Sequence, residues 1–244
     1  MDSAERELER PAASLALSAF ASGLAIAFSF LAGAYLASLV APAYAHAAAA
    51  AGYPLGFIFV ILARSELFTE NTLEPIISLL HRRDARTLGL VLRLWGLLLL
   101  GNLLGAAVVA WVLGRTRAIP ASLAPHLARI AERATAGTFG EVFYQAIFAG
   151  WLIALLAWLL ASTRSTGAQL ALIWLTTAPI AAFEFRHSIV GSVEAFYRVA
   201  TGASLLGEMV MGFILPAVLG NAVGGVFLVA LLNYGQVAAE RPRR

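Results

Sequence analysis

His187 is the residue best placed in this sequence to do chemistry. It lies in the run Glu184-Phe185-Arg186-His187-Ser188, which interrupts an otherwise apolar stretch, Gly167–Val193. An imidazole titrates near neutrality and can donate, accept or relay a proton. A second interruption lies far upstream, inside Gly56–Leu80, where Arg64, Ser65, Glu66, Leu67, Phe68, Thr69, Glu70 and Asn71 separate two apolar halves. A hydroxyl such as that of Thr69 could hydrogen-bond the imidazole and fix its tautomer. Arg64, Glu66, Glu70, Glu184 and Arg186 are the candidates for charge selectivity. Either Arg64 and Arg186 are neutralised by pairing with Glu66, Glu70 or Glu184, or Arg186 acts as an attractor of anions. The remaining histidines, His46, His81 and His126, share no metal-ligand spacing with His187, and the chain has no cysteine. No metal, cofactor or catalytic nucleophile is therefore expected. The chemistry predicted here is passage of a small solute, and the chain is not expected to be an enzyme.

The elements that hold these residues must cross a membrane. Of 244 residues, 60% are hydrophobic and only 13% are charged, whereas a soluble domain is about one-quarter charged. Ser14–Ala41, Leu94–Gly114, Val142–Thr163 and Met209–Val237 carry no formal charge, and a bilayer core takes about 20 apolar residues in a helix. With the two interrupted stretches, six spans are predicted. A soluble enzyme or a nucleic-acid binder is excluded, and the lipid bilayer is the expected environment.

An arginine or glutamate at a helix centre costs at least about 2.5–3.5 kcal/mol in lipid. The backbone should therefore leave the helix at both interruptions, which is tolerated where it is buried in protein or lines a water-filled cavity. Thr72 followed by Glu74-Pro75 predicts a new helix with a threonine cap and proline in its first turn. Tyr44, Tyr53, Trp95, Trp111, Tyr144, Tyr197 and Tyr234 fall near span ends, where interfacial aromatics collect.

All 17 basic residues are arginine. Placing Arg6, Arg10, Arg82, Arg83, Arg86, Arg164, Arg241, Arg243 and Arg244 on one side leaves fewer on the other, which favours both termini in the cytoplasm. Residues 1–13 then form a cytoplasmic N-terminal segment, 14–237 a six-helix channel domain and 238–244 a cytoplasmic tail. No export signal precedes the first span, so the inner (cytoplasmic) membrane is expected.

The segments 14–114 and 139–237 look like copies of one another. Leu100-Gly101-Asn102-Leu103-Leu104-Gly105 matches Leu219-Gly220-Asn221-Ala222-Val223-Gly224, with Thr69 and His187 at similar distances upstream. Three helices per copy make the second copy inverted. Inverted repeats with paired broken helices point to a binding site at the membrane midplane. The glycines of the two runs are expected to serve close helix packing.

The Glu66-Leu67-Phe68-Thr69 core, the histidine of Phe185–Val190 and the run Leu215-Pro216-Ala217-Val218-Leu219-Gly220-Asn221-Ala222-Val223-Gly224-Gly225 together resemble the formate/nitrite transporters. The resemblance spans essentially the whole chain. It implies an all-α, aquaporin-like protomer of six transmembrane helices in a homopentamer, with a pore in each protomer. It also implies that Thr69 faces His187 and that Leu67 and Phe68 contribute to an apolar constriction. Glu70-Asn71, Gly191–Glu194, Arg64, Arg186, Gln145 and Gly150 depart from the common family pattern and mark a divergent branch. The implied activity is transport of small monovalent anions or their weak acids, with a proton relay at His187. A neutral-solute or cation pathway on the same scaffold is the alternative, motivated by Glu70, and a non-transporting sensor ranks last.

Overall fold

The computed structural model describes Leu8 and residues 10–231. Most of the expected N-terminal segment, the whole C-terminal tail and Tyr234 lie outside the described residues. Among the described residues every regular element is helical. They are α1 (Ala12–Ser38), α2 (Pro42–Leu62), α3 (Glu74–Arg82), α4 (Ala85–Arg115), α5 (Ala124–Ala134), α6 (Phe139–Leu160), α7 (Thr166–Ala182), α8 (Ser188–Thr201) and α9 (Leu206–Phe227).

Five of these, α1, α2, α4, α6 and α9, are long and apolar enough to cross a bilayer, and α7 is an apolar helix of 17 residues. Large apolar side chains such as Leu17, Leu100, Leu104, Trp111, Leu175 and Met211 stand exposed on them. In water such a coat would drive association, whereas on a membrane helix it faces acyl chains or a neighbouring subunit.

The second span begins earlier than the sequence predicts. Its apolar crossing is Pro42–Leu62, and the interruption lies at its C-terminal end, not halfway through Gly56–Leu80. Ala45–Gly52 is nearly all alanine, which weighs little in hydropathy but is the strongest helix former, so the helix starts before the strongly apolar residues do. The helix after the break also differs from expectation. Pro75 lies in the first turn of α3, but the N-cap is Leu73 and makes no side-chain cap. The Thr72 hydroxyl turns back to donate to the Thr69 carbonyl at 2.9 Å. Next along the chain, Asp84 caps α4, accepting from the Thr87 backbone N–H and hydroxyl. Those two donors hold its carboxyl below the usual carboxylate range.

Helices α1 and α4 pack through small residues, and α6 and α9 repeat the arrangement. A Cβ on Gly23 would run into the backbone carbonyl of Asn102, and one on Gly150 into that of Asn221. Gly105 similarly abuts the Phe20 carbonyl and Gly224 the Ile147 carbonyl. Small residues let helix backbones approach this closely. Gly150→Val is therefore expected to force α6 off α9, at about 3 kcal/mol. Thermal unfolding in detergent should show a clear loss of stability, whereas Gly140→Val, at a position open around its Cβ, should leave it unchanged.

Candidate functional site between two broken helices

The two interruptions are built alike. Helix α2 ends at a left-handed residue, Arg64, with φ of 53°, and α7 ends at Glu184, with φ of 57°. In the first turn the Ser65 amide reaches back to the Val60 carbonyl and Arg64 to Ile61; in the second, Phe185 reaches Ile180 and Glu184 reaches Ala181. This double closure satisfies the last carbonyls of a helix and reverses the chain. Glycine suits the left-handed position best, and an L residue there costs about 1–2 kcal/mol. Both non-glycine residues nonetheless hold it.

Beyond each turn the chain runs a few residues without a helical partner, and one buried asparagine supplies the missing bonds. The Asn102 side chain accepts from the Phe68 amide at 2.8 Å and donates to the carbonyls of Ala19 and Glu66 at 2.8 and 2.9 Å. Asn221 does the same in the other half: it accepts from the Ser188 amide at 2.7 Å and donates to the carbonyls of Ala146 and Arg186, both at 2.8 Å. The side-chain amide suits this work, because it accepts and donates from one planar group. Matched through these bonds, Glu66 corresponds to Arg186, Leu67 to His187 and Phe68 to Ser188. Thr69 and His187, expected from their spacing at equivalent places, are thus offset by two positions.

That offset brings them face to face. Thr69 Oγ1 and His187 Nε2 lie 2.8 Å apart, fully enclosed. His187 is the N-cap of α8, and its Nδ1 accepts from the Val190 amide at 3.2 Å. A nitrogen that accepts carries no proton, so the hydrogen of the neutral ring is on Nε2 and is donated to Thr69. The tautomer is therefore set by the N-terminus of α8, whereas the sequence suggested Thr69. The threonine keeps its own proton for a further acceptor. The Phe57 ring stands edge-on to His187 at 5.0 Å, and Leu67 and Phe68 are buried beside the pair. Phe68 is braced by Trp95 at 6.0 Å between centroids, and the Trp95 indole N–H donates to the Asn71 carbonyl. Trp95 therefore holds this loop, whereas its position near a span end suggested an interfacial role. Tyr197, likewise expected at an interface, is buried against Phe30.

Two cavities border the segments that carry the pair. One, enclosing about 630 Å³ partly open to solvent, is lined by Tyr53, Arg186, His187 and Glu194, with His46, Arg133 and Glu184 toward its rim. The other, about 740 Å³, is lined by Arg64, Ser65, Glu66, Glu70, Asn71 and Glu74.

The expected pairing of Arg64 and Arg186 with Glu66, Glu70 or Glu184 does not occur. Glu66 binds Arg10 and accepts from Asn71. Glu184, carried outward by its left-handed turn, is bound by Arg133 of α5 and lies 4.0 Å from His46. Arg186, pointing the other way, donates to Gln145 at 2.9 Å and to the backbone carbonyls of Arg133 and Ala136 at 3.0 and 3.2 Å. Its three acceptors are neutral. Arg64 and Glu70 line the second cavity, and neither forms a salt bridge with another of the described residues.

Sequence reasoning gave Asn102 and Asn221 no bonding role, and it singled out Gln145 and Glu194 only as departures from the family pattern, not as parts of this arrangement. The repeated Gly-Asn pair was the available signal for the first two, and Glu194, seven residues after His187 and so on one face of a helix, for the last.

The profile of the Formate/nitrite transporter family matches residues 1–235. The chain is 36% identical to the Inner membrane protein YfdC of Escherichia coli over 96% of this chain and 75% of that protein. It is 29% identical to the Probable formate transporter of Methanothermobacter thermautotrophicus over 87% and 88%. Among solved structures, a Pentameric formate channel with formate bound superposes with a TM-score of 0.77 at 20% identity, over 93% of this chain and 98% of that one. This chain belongs to the formate/nitrite transporter family. It is a multi-pass membrane transport protein of the all-helical fold of that channel, not an enzyme.

Proposed function

We propose that the protein conducts small monovalent weak acids, of which formate and nitrite are the type, across the inner membrane. The single observation that carries this reading is the buried Thr69–His187 pair, walled by Phe57, Leu67 and Phe68. A bare anion loses its hydration at such a point, which costs tens of kcal/mol in the ideal limit. Protonating a carboxylate of pKa about 3.7 at pH 7 costs only about 4–5 kcal/mol. Neutralisation is the cheaper route, so the acid crosses the constriction and the anion occupies the cavities. The pair presents one oriented hydroxyl: His187 donates to Thr69, and Thr69 donates to the solute. Its relay role is to steady the solute as the solute's charge changes. Outright loss of a proton from this pair would leave an imidazolate, so the neutralising proton comes from another group.

In this reading α7 and α8 form the fifth span and the two asparagine-clamped halves are inverted repeats, giving six crossings and both termini in the cytoplasm. The Arg186 cavity then faces outward and the Glu70 cavity inward. The pentameric neighbour supports a homopentamer. A cation or neutral-solute pathway draws on Glu66, Glu70 and Glu74 around the inner cavity.

Stopped-flow light scattering on proteoliposomes separates the two. Formate and nitrite are expected to enter well above the protein-free rate, while K⁺ and a neutral solute stay at that rate. Fast entry of K⁺ or the neutral solute with formate at the protein-free rate would overturn the proposal.

A further inference from the structure

Resting on that reading, we propose that Glu194 is the group that protonates the solute: Arg186 holds the incoming anion in the outer cavity, and Glu194 passes it a proton before it reaches His187. Both side chains are more than nine-tenths buried and line the same cavity as His187 and Tyr53. Glu194 makes no hydrogen bond or ion pair among the described residues, although a buried carboxyl ordinarily finds a partner. It stands two turns beyond His187 on the same helix and lines the cavity that the proposed orientation turns outward.

Arg186 is the complementary half. Its guanidinium has five N–H donors, and three are committed to Gln145 and two backbone carbonyls. Two donors and the full positive charge are left toward the cavity. Glu184 is occupied by Arg133 at the rim, so no carboxylate contacts Arg186.

The transfer balances. The Glu194 O–H bond breaks, a lone pair of the anion takes the proton, and the bonding pair stays on the Glu194 carboxylate. Before transfer Arg186 is countered by the anion; afterwards it is countered by Glu194, while the neutral acid moves on. From the binding of the anion until Glu194 is reprotonated, Arg186 is therefore countered by one negative charge, whereas a buried charge with no counter-charge is costly. Water from the open side returns the proton.

The other groups facing Glu194 do not serve. The Tyr53 hydroxyl is too weak an acid, with an ordinary pKa of about 10. His187 is bound at both nitrogens. His46, Arg133 and Glu184 are engaged with one another at the rim.

The test is formate uptake by proteoliposomes of the full chain, followed across external pH after subtraction of the protein-free rate. The unmodified protein should speed up as external pH falls. Glu194→Gln should lose about 100-fold, the lower end of what a positioned proton donor contributes, and its residual rate should follow only the fraction of formic acid in bulk solution. Glu194→Asp should keep the wild-type pH dependence at reduced rate, which a merely structural role would not predict. Wild-type rates and pH profile in Glu194→Gln would overturn this proposal and leave the weak-acid channel standing. Absence of formate transport by the unmodified protein would overturn both.

Discussion

Asn221→Ala is expected to abolish transport and to destabilise the protein by about 3–9 kcal/mol. The change strands the Ser188 amide and the carbonyls of Ala146 and Arg186, and each buried group left without a partner costs about 1–3 kcal/mol. Those three groups belong to α6, the break before α8 and the first residue of α8, so losing the asparagine unties the segment that aims His187. Asn221→Asp discriminates between shape and bonding. A carboxylate can still accept from Ser188 but has no donor for the two carbonyls, so it should fail nearly as badly as alanine. Thermal unfolding in detergent reads both variants. Stability of Asn221→Asp equal to that of the unmodified protein would mean that the clamp does not hold the break.

Thr69→Val should cut formate uptake about 100-fold or more, the effect of removing one oriented donor from a buried site, while Thr69→Ser stays close to the unmodified protein. Valine matches threonine in shape but leaves the His187 Nε2–H without an acceptor inside an apolar wall. The ring's other nitrogen remains occupied by Val190, so the imidazole cannot simply turn to find a new partner. His187→Phe, which keeps a ring without donor or acceptor, should lose transport to the same extent. Uptake by proteoliposomes measures all three, and unimpaired Thr69→Val or His187→Phe would remove the pair from the pathway.

Much of this site was legible from residue types alone. Charged residues inside apolar runs are costly enough in lipid to announce a break, and both breaks occur within the residues that announced them, around Arg64 and Glu184. The resemblance carried by Glu66–Thr69 and His187 brought together two residues far apart in the chain. The start of α2 escaped because alanine gives a strong helix signal and a weak lipid signal. The charge pairing escaped for a different reason. Which way a side chain points after a left-handed turn depends on backbone dihedrals that a list of charges does not encode, so Glu184 and Arg186, near neighbours in sequence, part company and take separate partners. The asparagines were visible as a repeated motif, but their task, satisfying backbone groups of segments far away in the chain, exists only once the breaks are folded against them. The tautomer of His187 depends in the same way on a cap that forms only when α8 begins at Ser188.

The central claim is that the solute passes Thr69 and His187 as a neutral acid. Formate uptake into proteoliposomes carrying a pH-sensitive dye, measured under an imposed potassium diffusion potential, addresses it directly. The account predicts one proton delivered to the lumen with each formate and a rate that does not respond to the potential. A formate flux that scales with the potential and leaves the dye unchanged would contradict it.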